Sequence, residues 1–151
     1  MVRLYLCHTL PGEQVEIEIT SIQKNFSIGK ATKYLVTGSS RRNPPCPFYE
    51  SCGGCALMHM DYDAQLKVKE NIVQDAITRI GKLEYKVNPI IGATSEVCYR
   101  NKAAFPVKNG KIGYYHSASH TIVEIDRCPL VCNRINEVLT VMKPFVHRFP
   151  N

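Results

Sequence analysis

Three cysteines stand within the ten residues 46–55, CPFYESCGGC, and no other stretch restricts the possible fold as strongly. Cys46, Cys52 and Cys55 form a C-x5-C-x2-C pattern on a segment too rich in Gly and Pro for regular structure, which reads as a ligand loop. A C-x2-C turn lets two thiolates reach neighbouring corners of a metal site. Gly53 and Gly54 are expected to allow backbone angles that turn amide donors toward sulfur. Cys128, which follows an apolar alternating run and precedes Pro129, is the candidate fourth ligand. Binding it would tie the loop to a sheet.

The chain holds seven cysteines. An odd count with no export signal at MVRLYLCHTLPGEQ argues against a disulfide framework, because cytosolic thiols stay reduced. Four-cysteine zinc sites usually take two close pairs, whereas this spacing contains one, so an iron–sulfur centre is favoured and zinc is the alternative. Cys7, Cys98 and Cys132 read as small hydrophobes, with Cys132 near enough to Cys128 in sequence to substitute as a ligand.

The rest of the chain is consistent with an α+β protein. Its 151 residues suffice for one domain or two small ones, and 44% hydrophobic with 21% charged residues is ordinary for a globular fold. No run reaches the roughly 18–20 apolar residues of a membrane span, and a cytoplasmic location is the default. Val15, Ile17 and Ile19 alternate with Glu16 and Glu18 after a Pro11–Gly12 turn, and a second apolar run covers 28–36. Residues 2–36 therefore read as short strands, part of a small barrel. The segment 37–45, TGSSRRNPP, reads as an extended connector and a domain boundary.

Asp61 is placed to cap a helix that runs to about residue 80 and ends at Gly81, with Leu66, Val73, Ala76, Ile77 and Ile80 on one face. Strands are expected over 99–107, 112–116 and 121–126, the first two joined by a tight Asn109–Gly110 turn, and a second helix over 131–146 ending against Pro150.

Four ordered segments, CPFYESCGGC, LMHMDYDAQLKVKENIVQDAITRIGK, CYRNKAAFPV and IGYYHSASHTIVEIDRCPL, resemble the S-adenosylmethionine-dependent RNA uracil-5 methyltransferases that modify transfer or ribosomal RNA. The resemblance covers roughly residues 10–135. It implies an N-terminal TRAM barrel related to the OB fold, then a central domain holding a 4Fe-4S cluster, then a Rossmann-like methyltransferase domain. In that scheme residues 1–40 are a partial TRAM domain whose first strands are missing, with Leu10–Glu13 in its middle. Residues 41–130 are the iron–sulfur domain, and 131–151 form a helix leading toward the methyltransferase domain. The cluster ligands map onto Cys46, Cys52, Cys55 and Cys128. Ala56 and Met58 depart from the family, which usually carries polar residues there.

In the complete family enzyme a thiolate adds to uracil C6, C5 takes the methyl group, and a base removes the C5 proton. The resemblance places that machinery and the S-adenosylmethionine site after residue 136, so this chain alone is expected to be inactive. Its expected role is to grip RNA, with a structural cluster, as a monomer and without a membrane. The net charge of +6 favours an acidic partner. Candidate RNA contacts are Arg41 and Arg42 beside the loop, Arg100, Asn101 and Lys102 in YRNK, and Ser119 and His120 in SASH. A stand-alone RNA-binding module stapled by zinc or iron–sulfur is the competing reading, and an electron carrier is a further one.

Overall fold

A computed structural model describes residues 3–149. The strand start at Val2 and the helix stop at Pro150 lie outside them. The fold is mixed, with two three-stranded sheets and two main helices in the order β1 (Arg3–Cys7), β2 (Gln14–Ile22), β3 (Phe26–Val36), α1 (Tyr62–Asp75), β4 (Val107–Lys108), β5 (Lys111–Tyr115), β6 (Ile122–Glu124) and α2 (Asn133–Arg148). Among the described residues no helix is long and apolar enough to cross a membrane.

The first sheet has the order β1-β3-β2, with β1 parallel and β2 antiparallel to β3. Gly12, at φ +85°, makes the turn before β2, as the Pro11–Gly12 pair suggests. The alternation in β2 correctly marks a strand, but the half-buried face expected from it is not covered: Ile17 and Ile19 stay 37% and 45% exposed. A three-stranded sheet with no layer packed on that face leaves its apolar residues in water.

The core lies in the second half of the chain. Tyr49, Met58, Ile112, Ile125, Cys128, Leu130, Val131, Leu139 and Val146 pack as one buried cluster, with Val131 and Leu139 fully enclosed. Truncating either to alanine would cost about 2–5 kcal/mol by the usual cavity penalty. The second sheet, β4-β5-β6, is antiparallel throughout. Asn109 and Gly110 both take positive φ, the tight turn that an Asn-Gly pair supports.

Two expectations need correction, while the helix from Asp61 to about residue 80, closed by Gly81, is met with a π turn at its end. The strand expected over 99–107 shrinks to β4, because Arg100 makes only a single parallel bridge with Val131 and Pro106 has no N–H to offer a ladder. The helix capped by Asp61, whose carboxylate accepts from the Ala64 amide at 2.8 Å, continues past α1 as a π turn over Ala76–Ile80. Gly81 closes it with a right-handed φ of −71°, and Lys82 takes the left-handed position instead. Glycine is needed at 81 for space, since a Cβ there would sit 2.8 Å from the Ile77 carbonyl oxygen. Finally, the apolar face of this helix is covered only in part: Leu66 and Ile77 are half-buried, but Val73 and Ile80 are 51% and 83% exposed.

Candidate metal centre

The ligand loop is held by its own backbone and by the end of β5. The Tyr49 amide donates to the Cys46 carbonyl at 3.2 Å and the Cys52 amide to the Phe48 carbonyl at 2.8 Å, which coils the C-x5-C segment into consecutive turns. Cys52 bridges to His116, the Gly53 amide donates to Tyr115 O at 2.9 Å, and the Ser117 amide donates to Ser51 O at 3.1 Å. The loop is thereby stitched onto the second sheet.

Gly54 N–H points at Cys52 Sγ, 3.4 Å away, as the amide-to-sulfur reading expects. The backbone angles behind it differ from the expectation, because neither Gly53 nor Gly54 takes positive φ. Their lack of a side chain is what counts. A Cβ on Gly53 would lie 3.1 Å from Tyr115 O and Ser117 Cα, and one on Gly54 would lie 3.4 Å from Cys52 Sγ.

Cys46, Cys52, Cys55 and Cys128 line one small cavity, walled further by Phe48, Tyr114, Ile125 and Pro129 and flanked by Arg100 and Arg127. Cys128 reaches it from the turn between β6 and α2. Burial pushes the Cys46 thiol up, and the neighbouring Cys128 and Cys52 add to the shift. Cys55 is pushed up to about 11 by burial, with the Arg100 guanidinium opposing. Four thiols in one apolar pocket make a soft donor set. Among the described residues no three His, Cys, Asp or Glu side chains group closely enough to hold a metal ion, so the thiols border the cavity without converging on a point. Cys7 and Cys98 are exposed, and Cys132, at the N-cap of α2, does not line the cavity.

The candidate RNA residues divide by environment. Arg41 is occupied: it pairs with the buried Glu13 carboxylate, donates to His8 O at 2.7 Å, and lies 4.3 Å from the Tyr34 ring centre. Arg42 pairs with Glu96, and Arg100 borders the thiol cavity and donates to Gly54 O at 3.4 Å. Asn101 and Lys102 are exposed. Ser119 and His120 are exposed on a turn, where His120 lines a surface groove with Lys108 and Lys111. Arg42 and Arg100 share a larger groove along the ligand loop. The others stand apart from it.

Sequence reasoning missed Asn136, whose side chain holds the Cys128 backbone, and Glu13 and Glu96, which occupy the two arginines. A polar residue on the apolar face of α2 was a visible signal for Asn136. It missed also the buried Tyr49–His59 contact, with the phenol 2.6 Å from Nδ1.

Comparison with known proteins decides the kinship. An RNA methyltransferase of Clostridium tetani is 32% identical over 97% of this chain, and one of Clostridium acetobutylicum is 35% identical over 97%. One of Halalkalibacterium halodurans is 37% identical over 93%. The chain is a homologue of the RNA methyltransferases. It spans about a third of the length of these curated relatives, 33%, 33% and 32% respectively. No family model matches it. A crystal structure of a Pyrococcus abyssi tRNA (uracil-54, C5)-methyltransferase in complex with S-adenosyl-L-homocysteine superposes with a TM-score of 0.63 at 24% identity, covering 96% of this chain and 32% of that one. At that identity the likeness is one of fold: this methyltransferase homologue folds like a third of that enzyme.

Proposed function

We propose that the chain is the iron–sulfur and RNA-gripping part of an S-adenosylmethionine-dependent RNA methyltransferase that forms 5-methyluridine in transfer or ribosomal RNA. One observation carries the reading: Cys46, Cys52 and Cys55 of one loop and Cys128, more than 70 positions further on, border a single apolar cavity. The loop holds one close C-x2-C pair, whereas four-cysteine zinc sites usually take two, which favours an iron–sulfur cluster. The donor set is soft, the Gly54 amide already faces one sulfur, and Arg100 and Arg127 stand where they offset thiolate charge.

Cys46, Cys52, Cys55 and Cys128 would hold a 4Fe-4S cluster, which would supply a rigid cross-link between the loop and the segment before α2. The protein's own residues do the rest. Gly53 and Ser51 fix the loop to β5, Asn136 fixes Cys128, and Arg42 and Arg100 line a groove that runs beside the loop. In this reading residues 1–40 are a partial TRAM unit built on the β1-β3-β2 sheet, and 41–130 are the cluster domain. RNA would contact Arg42, Arg100, Asn101, Lys102, Ser119 and His120. Arg41 would shape the joint through Glu13. S-adenosylmethionine and the uracil chemistry would belong to the further length that the relatives have.

Anaerobic reconstitution with ferrous iron and sulfide tests the ligand set. Serine at position 46, 52, 55 or 128 is expected to abolish or sharply lower bound iron, acid-labile sulfide and visible absorption, whereas Cys98→Ser and Cys132→Ser keep all three. Full iron and sulfide retention in Cys128→Ser, or stoichiometric zinc without sulfide in the wild type, would overturn the reading.

A further inference from the structure

The ion pair between Arg42 and Glu96 joins residues 54 positions apart and lies in the wall of a groove of about 760 Å³ that runs past the ligand loop. Its charged lining is Arg42, Lys69, Arg100 and the single carboxylate of Glu96. The groove shares Gly54 and Cys55 with the thiol cavity, so whatever fills it packs on the ligand loop.

Arg42 is held in advance of any partner. Its backbone amide donates to His59 O at 2.9 Å and its Nε to Met58 O at 3.2 Å, leaving Nη2 to meet Glu96. Glu96 has no such support. Arg42 is its one hydrogen-bonding or ionic partner among the described residues, and it rides on the irregular segment 93–97, anchored by the Ala93 amide donating to the Tyr62 hydroxyl at 2.7 Å. A guanidinium fork fixed by its neighbours suits a phosphate as well as a carboxylate. Tyr99, 55% exposed, offers a ring face in the same groove, with the Arg100 guanidinium 5.8 Å from its centre, and Lys69 has no ion-pair partner among the described residues. Aromatic faces alternating with cations are the usual lining for single-stranded nucleic acid.

We propose that this groove seats a single-stranded stretch of RNA, with Arg42 as its phosphate anchor, and that Glu96 is an internal stand-in which the phosphate displaces. The inference rests on the RNA-binding reading above and adds a specific seat and a carboxylate that competes for it.

The test is binding of a short fluorescent oligouridine to the full, anaerobically prepared chain, measured by anisotropy across a salt series. Wild type, Glu96→Gln, Arg42→Gln and the double variant are compared, each checked for folding by circular dichroism. Glu96→Gln is expected to bind about two- to fivefold tighter, the range of one half-exposed ion pair. Arg42→Gln is expected to bind more weakly and to lose about 0.7 from the log–log salt slope, while the double variant gains nothing over Arg42→Gln. Unchanged or weaker binding by Glu96→Gln, with the wild type still binding RNA, overturns the seat and leaves the RNA reading standing. That outcome alone decides if Arg42→Gln fails to fold. Wild type that shows no saturable oligouridine binding at low salt overturns both. Equal competition by inorganic phosphate, or a Glu96→Gln gain seen only with duplex RNA, also overturns the single-strand assignment.

Discussion

The side chain of Asn136 grips both backbone groups of Cys128: the Cys128 amide donates to Oδ1 at 2.9 Å and Nδ2 donates to the Cys128 carbonyl at 3.1 Å. Both residues are buried, and Asn136 sits in the first turn of α2. The helix therefore positions the most distant of the four cavity thiols. Asn136→Ala breaks two buried hydrogen bonds and leaves two polar groups unsatisfied, an expected loss of about 2–3 kcal/mol in urea unfolding. Asn136→Asp keeps an acceptor but sets a carboxylate against the Cys128 carbonyl, so it is expected to lose at least as much. In the reconstituted protein both variants should release iron to a chelator faster than wild type, although neither removes a thiol. Wild-type iron release from a destabilised Asn136→Ala would separate the helix from the site.

Glu13 and Arg41 join the β1–β2 turn to the connector after β3. Hydrogen bonding to Arg41 holds the Glu13 carboxyl at about 2, with the Leu10 and Gly38 amides helping against burial. A carboxyl lowered on folding contributes stability that is complete above its unfolded value near 4.5 and is lost as pH falls toward 2. The full shift would correspond to about 3 kcal/mol, and solvent screening reduces the expected contribution to about 1–2 kcal/mol. Glu13→Gln should lower stability by that amount at neutral pH and flatten the dependence between pH 4.5 and 2. Urea midpoints taken across that range check it.

Much of this was legible in the sequence because it depended on local rules. The Asp61 cap, the Asn109–Gly110 turn and the second helix follow from chemistry within a few residues, and the four cavity cysteines from spacing together with family resemblance. What could not be read depended on partners distant in sequence. Periodicity marks Ile17 and Val73 as apolar-face residues but cannot say that no layer covers them. Arg41 and Arg42 look like equivalent loop cations until Glu13 and Glu96, from separate segments, reach them. Gly53 and Gly54 look like conformational devices, yet the approach of Tyr115 and Ser117 makes Gly53 a matter of space.

Space also governs Gly113. A Cβ there would meet the Val123 carbonyl oxygen at 2.0 Å, where Gly113 pairs with Glu124 at one end of the β5–β6 ladder. Backbone cannot yield to that contact without breaking the register, so Gly113→Ala is expected to prevent stable folding of the second sheet. Gly12→Ala offers the contrast. Its left-handed φ of +85° makes alanine strained, but nothing lies within 4 Å, so the cost should stay near 1–2 kcal/mol. Thermal melts of the two variants should differ widely, and similar melting temperatures would contradict the close approach seen at Gly113.

His59 sets a second pH limit, apart from that of Glu13. Its Nδ1 meets the Tyr49 hydroxyl at 2.6 Å, while Nε2 is buried with no hydrogen-bond partner. Burial lowers its pKa from 6.5, Arg41 and His8 lower it further, and Glu13 and Glu50 oppose them. A histidine held neutral by folding contributes full stability above the unfolded value and loses it as pH drops below about 6.5, where the unfolded chain takes up the proton first. Wild type should therefore weaken between neutrality and the Glu13 window, and His59→Met should not weaken there. Tyr49→Phe removes the hydroxyl that reaches both His59 and the Ala56 carbonyl, at 2.9 Å, and is expected to cost about 1–3 kcal/mol at pH 7. Denaturant midpoints measured from pH 7.5 to 5 separate the two effects, because Tyr49→Phe shifts the whole curve and His59→Met changes its slope.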